Sequence, residues 1–355
     1  MRILRRYLFR SIIANAAIVL AVLLALGLFT EFVDELGNIG KGNYGTLQAL
    51  IFAALELPHY AFRMLPMAAL LGAILGLGSL ASHSELIAIR ASGVSPLRLA
   101  GAVGATGVVL GLLALALGGW LAPPLDNYAR QFRAEAKYGP QSMAAGKAVW
   151  IRDGNTFLQV TRMNQGNGFG GLYLFRLDPG QALEAIGHAD SAQVSDDKAW
   201  VLDNYTETTF GDERVSVRRE TRATEPNSLP PDMVGLTVVR EESLDAVSLF
   251  RYVRFRQQSG LNAEAYIVAF WQRISASVAT VAMCVLALPF AFGSLRSSGT
   301  GARVAVGVVI GLAYFMAANG IIDGGSLYSL NPILTAWLPT IALSLCVVVA
   351  LSRTR

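Results

Sequence analysis

Long apolar segments separated by short polar ones dominate this sequence. A helix that crosses a lipid bilayer needs about 20 mostly apolar residues. Six segments reach that length, at roughly 11–31, 48–80, 99–122, 265–293, 302–322 and 332–351. The second and fourth segments are long and include prolines and polar residues. The pattern predicts an α-helical membrane protein with six transmembrane helices.

The region between the third and fourth segments has a different pattern. From 148 to 221, β-prone runs alternate with turn residues, among them the Asp-Gly pair at 153–154. Several short strands with regular turns are typical of a small antiparallel sandwich or jelly roll. Helical patterns flank the strands, and Gly260 and Asn262 are suited to end one helix and to cap the next.

The chain therefore divides into three predicted parts. Residues 1–122 hold the first three transmembrane helices, and 263–355 hold the last three. Residues 123–262 form an inserted antiparallel β-domain of jellyroll type with flanking helices.

Composition agrees with a membrane protein. Of the 355 residues, 53% are hydrophobic and 15% are charged, and the mean hydropathy is +0.46. These values argue against an ordinary soluble domain. The basic start MRILRRYLFR is similar to the head of a signal peptide. The apolar run after it is too long, however, and no clear cleavage site follows, so we expect a retained first span.

Arginines are concentrated in alternate loops, which predicts the orientation. They comprise Arg2, Arg5, Arg6 and Arg10 at the N-terminus, Arg90 and Arg98 after span two, Arg296 and Arg303 after span four, and Arg353 and Arg355 at the C-terminus. The opposite short loops carry mainly acids, such as Asp34 and Asp323. Because cytoplasmic loops collect Lys and Arg, we expect both termini and the 81–98 loop in the cytoplasm, and the β-domain on the other side.

The sequence lacks the motifs of common catalytic and metal sites. The three histidines, His59, His83 and His188, are scattered without metal-ligand spacing. The stretch GPQSMAAGKA at 139–148 lacks the spacing of a phosphate-binding loop, and no G-x-S-x-G motif is present. Both cysteines, Cys284 and Cys346, lie in predicted spans and are expected to be packing groups. We expect a non-enzymatic protein without a cofactor of its own, whose energy comes from elsewhere.

A short polar helix is predicted at about 84–93, between spans two and three. Ser84 is placed to cap it, Glu85 lies in the first turn where the helix dipole favours an acid, and Gly93 is suited to end it. Two interpretations remain open. The helix is either a surface helix with a dipole-compensating acid, or a coupling helix that fits into a groove on a cytoplasmic motor domain.

Basic residues after span three form a second candidate site. Arg130, Arg133 and Lys137 are spaced by three and four residues, so they share one helical face just outside the membrane. That face would suit anionic lipid head groups. The alternative is that these side chains only anchor the helix at the interface. We expect reversal of Arg130 and Arg133 to weaken lipid handling with little loss of folded protein.

Small residues and polar residues within the predicted spans indicate how the helices pack. The pairs Gly72/Gly76, Gly107/Gly111 and Gly307/Gly311 have the spacing that lets helices approach closely, within the chain or between subunits. Polar residues near the outer ends of spans two and four are expected to face a cavity or a partner; they are Glu56, His59, Arg63, Gln272 and Arg273.

Several stretches of the chain resemble the LptF/LptG permease family. They are FVDELG, PMAALLGAILGLGSLASHSELIAIRASG, WLAPPLDNYARQFRAEAKYG, VWIRDGNTFLQV and FAFGSLRS, in matching order and spacing over nearly the whole chain. The long block at 66–93 and the W-x-R-D-G-N-x-F stretch are the more specific of these. The similarity is closer to the LptG branch.

This resemblance implies a six-span inner-membrane permease with a periplasmic β-jellyroll between spans three and four. It implies a complex with an LptF permease subunit, two LptB ATPase subunits that bind ATP, and LptC beside the first span. Such a complex extracts lipopolysaccharide from the inner membrane and passes it to a periplasmic bridge.

The resemblance also implies roles for individual residues. The 84–93 helix matches the family's coupling helix, which assigns ATPase coupling to Ser84, Glu85, Leu86, Ile89 and Arg90. Arg130 and Arg133 match basic positions associated with lipid, and Lys41 and Lys137 are added as nearby cations. The family's basic residues near the end of span one correspond here to Glu31, Gly37 and Asn38, none of them basic.

Two other functions fit the same general pattern. One is an ABC-type permease for another amphiphile, such as a lipoprotein or a peptide. The other is a membrane-anchored sensor or scaffold whose β-domain binds a periplasmic protein.

Overall fold

The computed structural model describes residues 2–138, 149–153, 155–163, 168–178, 180, 182–194, 199–211, 214–226, 243–258, 262–292, 300–328 and 330–353. The stretch at 139–148, Gly260 and Arg296 lie outside the described residues. So do the side chains of Ile87 and Arg90.

The described helices follow the predicted segments. They are α1 Arg2–Leu36, α2 Thr46–Ser82, α3 Glu85–Ala91, α4 Pro96–Ala116, a π-helical turn Leu117–Leu121, α5 Ala122–Tyr138, α6 Ala246–Gln258, α7 Glu264–Phe292, α8 Thr300–Leu327 and α9 Pro332–Ser352. Among the described residues, six helical runs are long and apolar enough to cross a membrane, as predicted. The third run, Leu97–Lys137, continues past the predicted end at residue 122, since the π-helical turn joins α4 to α5 without a break.

Helix α2 is the centre of the helical bundle. Most of its apolar window is buried, whereas α1 and α8 are largely exposed. Glycines permit its closest contacts: a Cβ on Gly72 would lie 2.4 Å from the Cα of Ala16 in α1. A Cβ on Gly307 of α8 would lie 2.6 Å from the Leu71 side chain. The glycine pairs therefore pack helices of the same chain, one of the two predicted alternatives.

The inserted region is an antiparallel β-sheet, as predicted. Its strands are β1 Val149–Asp153, β2 Thr156–Met163, β3 Gly168–Leu177, β4 Leu183–Val194, β5 Ala199–Phe210 and β6 Val215–Pro226. Within the described residues they are paired in chain order. Strands β1 and β2 are antiparallel neighbours on either side of the predicted turn, with Asp153 paired with Thr156, and Gly154 lies outside the described residues.

One face of the sheet carries its apolar core. The buried side chains are Leu158, Leu172, Leu174, Ala189, Ala192, Trp200, Leu202, Tyr205 and Ala223. Most of them alternate with more exposed positions, because successive side chains of a strand point to opposite faces. The alternation is interrupted in β4 between Ala189 and Ala192 and in β5 between Leu202 and Tyr205, which are three positions apart. Phe255 of α6 packs against this cluster, so the helix after the sheet covers part of its core.

Two helices connect the sheet to the bundle, as the sequence predicted. Helix α5 continues the third transmembrane run, and α6 leads to α7. Asp245 caps α6 by accepting hydrogen bonds from the N–H groups of Val247 and Ser248 at 3.2 and 3.4 Å. Burial alone would raise the pKa of Asp245, but these bonds and the Ser248 side chain hold that pKa below its usual value. The side chain of Asn262 accepts from the N–H of Glu264 at 2.8 Å, so it bonds to the first turn of α7 as predicted, although the carbonyl that accepts the first helical bond belongs to Ala263.

Candidate coupling and lipid-contact sites

Helix α3 has two turns and is flanked by two residues in the left-handed backbone conformation. Ser84 has φ 61° and Gly93 has φ 84°. The Ser84 carbonyl accepts the first helical bond, from the Ala88 N–H at 3.1 Å, so Ser84 is at the N-cap position. Its backbone differs from the extended conformation of an ordinary side-chain cap, because the chain turns sharply there after α2. Gly93 ends the helix as predicted, in a conformation that glycine adopts without strain.

Leu86 seats α3 in the transmembrane core. Its side chain is 2% exposed and belongs to the main apolar cluster, together with Leu8 of α1, Leu80 of α2 and Leu99 of α4. Ile89 is partly buried. Fully burying a leucine side chain contributes roughly 1.5–3 kcal/mol. Helix α3 is therefore anchored in the apolar core at this end of the bundle.

Glu85 is bonded to the first helix of the chain. The Tyr7 hydroxyl donates to its Oε2 at 2.9 Å. Glu85 is partly exposed, and Tyr7 is 48% exposed. Tyr7 was not among the residues predicted from the sequence. Its position before the buried Leu8 is the signal that could have placed it at the edge of the core.

A second contact at this end of the bundle was also missed. Arg303, counted above as a loop cation, is 6% exposed, and its Nη1 donates to the Gly78 carbonyl of α2 at 2.9 Å. A Cβ on Gly78 would lie 2.9 Å from that same nitrogen. Arg303 thus joins the start of α8 to the last turns of α2, where a cation also complements the helix dipole.

The predicted basic face lies at the opposite end of the bundle, where α5 passes α1 and α2. Arg130 Nη2 lies 3.0 Å from Asp126 Oδ1 and 3.9 Å from Glu56 Oε1. Asp126 and Glu56 are 2% and 7% exposed. Ser243, just before α6, donates its hydroxyl to Asp126, so this ion pair also holds the chain that returns from the sheet.

The next two basic residues share one acid. Arg133 Nη2 lies 2.6 Å from Glu35 Oε1, and Lys137 Nζ lies 3.7 Å from Glu35 Oε2. Their cations also lie over the rings of Phe52 and Tyr44, at 4.9 and 5.0 Å from the ring centroids. Burial, and next the Glu35 carboxylate, raises the pKa of the Tyr44 hydroxyl, which stays neutral.

Lys41 is placed differently from the other predicted lipid contacts. Its Nζ donates to Asn38 Oδ1 at 2.9 Å in an exposed position. By contrast, Arg130, Arg133 and Lys137 all contact buried acids of this chain. The structure therefore brings the three helical cations onto one face, as predicted, and also supplies anionic partners that the sequence analysis did not identify.

A small cavity of about 60 Å³ lies among α2, α7, α8 and α9. Arg63, Gln272 and Asn319 contribute polar groups, and Phe62, Phe315 and Ile322 contribute apolar ones. Arg63 and Gln272 thus line a cavity, as expected for polar residues within spans.

The comparisons with known proteins agree with this architecture. The sequence profile described as "Lipopolysaccharide export system permease LptF/LptG" matches residues 6–353. The chain is 31% identical over 353 residues to lipopolysaccharide export system permease protein LptG of Haemophilus influenzae, which covers 99% of each chain.

Two further relatives come from Escherichia coli strain K12. Its LptG is 31% identical over 340 residues, which are 95% of this chain and 94% of that protein. Its LptF is 24% identical over 344 residues, or 94% and 90% of the two chains. Because the match spans the chain and includes six apolar helices with an inserted antiparallel sheet, this protein belongs to the LptF/LptG family of lipopolysaccharide export system permeases.

Proposed function

We propose that this chain is the LptG-type permease subunit of an ATP-driven complex that extracts lipopolysaccharide from the inner membrane and passes it to a periplasmic bridge. The observation that carries the proposal, beyond family membership, is the seating of α3. Leu86 anchors this acid-bearing helix in the apolar cluster that also contains residues of α1, α2 and α4, so a displacement of α3 would act on the spans through that cluster. The sequence has no recognisable nucleotide-binding loop, so we assign ATP hydrolysis to a separate subunit.

Family membership and the six apolar helices make this chain a multi-pass inner-membrane protein. We place both termini and α3 in the cytoplasm and the sheet in the periplasm. The distribution of arginines supports that orientation, since the arginine-rich segments lie at the α3 end of the bundle and the sheet lies at the other.

The expected partners are an LptF permease subunit, two LptB ATPase subunits and LptC. An exposed apolar face on helix α1 favours a neighbouring helix within the membrane. Its residues Ile18, Val22, Leu26 and Phe29 are each more than half exposed and recur at helical spacing. Such an apolar face is suited to a partner helix or to lipid.

Glu85 is the proposed docking residue for the ATPase. A carboxylate in a protein groove accepts charge-assisted hydrogen bonds, which are about twice as strong as neutral ones. Removing it would leave a partner's cation unpaired, at a cost of about 2–5 kcal/mol in a buried interface. A helix-dipole role alone would cost about 0.3–1 kcal/mol, because that effect is confined to one helix turn.

The test is Glu85→Ala in the complex purified in mild detergent and reconstituted with lipopolysaccharide. We expect the variant to retain the folded permease, and to lose the ATPase subunit or to hydrolyse ATP without releasing lipid. If it retains the ATPase and releases lipid at the normal rate, Glu85 is only a helix-start acid. Failure of the unmodified complex to release lipopolysaccharide with ATP would instead contradict the proposed function itself.

We also propose that Arg130 and Arg133 contact lipopolysaccharide phosphates by exchanging partners. Their side chains are 34% and 31% exposed, so each guanidinium has an accessible edge beside its ion pair. A phosphate would compete with Asp126 and Glu35 for the same donors. Guanidinium groups suit this role because they bind carboxylate and phosphate with similar two-pronged geometry. Lys137 is 9% exposed, so its contribution is charge rather than direct contact.

Two alternative functions are less well supported. A permease for a lipoprotein or a peptide would not account for a match to lipopolysaccharide export permeases along the whole chain. A scaffold or sensor would not need six spans joined by close glycine contacts. Identification of the proteins that co-purify with the chain separates these alternatives from the proposed complex.

A further inference from the structure

We infer that Tyr7 is a positioning residue of the coupling site, which holds the Glu85 carboxylate in the orientation that the ATPase subunit recognises. The inference rests on the proposed function and adds a residue from the first helix to the predicted coupling set. Tyr7 is 78 positions from Glu85 in sequence, and its hydroxyl donates to Oε2 at 2.9 Å.

The backbone is fixed on the Tyr7 side of this bond. Leu8 and Ile12, which follow Tyr7 on α1, are both fully buried in the main apolar cluster. Ser11 in the same turn donates to the Gly76 carbonyl of α2 at 3.4 Å. The ring of Tyr7 therefore projects from a backbone that is packed against α2.

The backbone is fixed on the Glu85 side as well. Leu86 is buried in that same cluster, and the Ala88 N–H bonds to the Ser84 carbonyl across the first turn of α3. What remains variable is the set of torsions within the Glu85 side chain. The bond from Tyr7 restricts those torsions before any partner arrives.

Restricting the side chain in advance lowers the cost of docking. A long side chain that becomes ordered only on binding costs about 0.5–1.5 kcal/mol, a factor of roughly 2–13 in affinity. A carboxylate has about four acceptor positions on its two oxygens, so one bond from Tyr7 leaves capacity for donors from a partner. Tyr7 and the partner can therefore bind Glu85 at the same time.

The exposure of the pair argues against a mainly structural role. Leu86 already holds α3 in place, and the Tyr7–Glu85 hydrogen bond is exposed to solvent. Exposed hydrogen bonds contribute little to folding, since water replaces either partner. An exposed hydrogen bond that contributes little to folding matters chiefly to a partner that binds there.

The experiment measures affinity of the ATPase subunit for the purified permease complex with Tyr7→Phe. This variant removes the hydroxyl and keeps the ring. We expect the dissociation constant to rise about 3- to 10-fold. The melting temperature of the permease and the ATPase rate at saturating subunit concentration should stay unchanged. Tyr128→Phe is the matched control, because Tyr128 is an exposed tyrosine on α5, at the other end of the bundle.

The same substitution in a Glu85→Gln background shows whether Tyr7 acts through Glu85. If Tyr7→Phe raises the dissociation constant by a smaller factor in the Glu85→Gln background than in the unmodified one, the inference is supported, since the charged acceptor is gone. An equal factor means that Tyr7 contacts the ATPase directly, which overturns it. Unchanged affinity in Tyr7→Phe, or a loss explained by a lower melting temperature, also overturns it. If Glu85→Gln alone docks normally, the proposed docking role of Glu85 fails instead.

Discussion

Reversing the charge of Arg133 is a sharp test of the ion pairs at the sheet end of the bundle. Arg133 Nη2 lies 2.6 Å from Oε1 of Glu35, which is only 3% exposed. In Arg133→Glu, a carboxylate would replace the cation beside a buried carboxylate. The guanidinium contact with the Phe52 ring would be lost as well.

The magnitude follows from the burial of the two partners. Breaking a buried ion pair by removing one member costs about 3–5 kcal/mol. Here Arg133 is about a third exposed, and Lys137 remains 3.7 Å from Glu35, so solvent and a second cation reduce the loss. We expect about 1–3 kcal/mol for Arg133→Gln, and roughly 1 kcal/mol more for Arg133→Glu because like charges near a protein surface repel. The sequence-based expectation of little loss of folded protein is therefore revised for this residue.

The assay is thermal unfolding of the purified complex in detergent, with Arg254→Glu as the matched control. Arg254 is an exposed arginine on α6, where reversal should cost about 0.5 kcal/mol or less. The double variant Glu35→Arg, Arg133→Glu should recover part of the stability because it restores opposite charges. If Arg133→Glu has the same melting temperature as Arg254→Glu, the Glu35 ion pair contributes nothing to stability and the reasoning is refuted. A folded Arg133→Gln variant that exports less lipid would support a direct lipid contact.

Two further predictions test the orientation and the packing of the bundle. A reporter enzyme that works only in the cytoplasm should be active when fused after Arg98, and one that works only in the periplasm should be active when fused within β4. The reverse result would invert the proposed topology. Gly72→Ala should lower the melting temperature, since its Cβ would lie 2.4 Å from the Ala16 backbone and overpacking costs about 1–3 kcal/mol. Gly101→Ala, with nothing within 4 Å of the new Cβ, should leave it unchanged or raise it slightly.

Local patterns predicted the elements of this fold well. Apolar length identified the six spans, and turn residues such as the Asp-Gly pair at 153–154 located a hairpin. Gly93 was recognised as a helix end because a left-handed residue there is specified by the local sequence. These features depend on neighbours within a few positions, which a sequence contains directly.

Contacts between distant segments could not be predicted in that way. The bond from Tyr7 to Glu85 and the bond from Arg303 to the Gly78 carbonyl join residues on different helices. The sequence shows that Arg303 is a cation near a span, and positive charge there was attributed to a loop. Only the approach of α8 to α2 makes burial possible, because a backbone carbonyl then satisfies the guanidinium.

Acidic side chains are exposed at one end of the bundle and buried at the other, and this difference is relevant to the proposed transport. At the α3 end, Glu85 is partly exposed and available to a protein partner. At the sheet end, Glu35 and Asp126 are buried and already bonded to arginines. A lipid phosphate bound there, as proposed, would compete with a carboxylate for the guanidinium, so the net gain would be the difference between two similar charge-assisted interactions. Such an exchange would keep lipid binding weak enough to reverse, as the proposed transport requires, because a permease must release each molecule that it takes up.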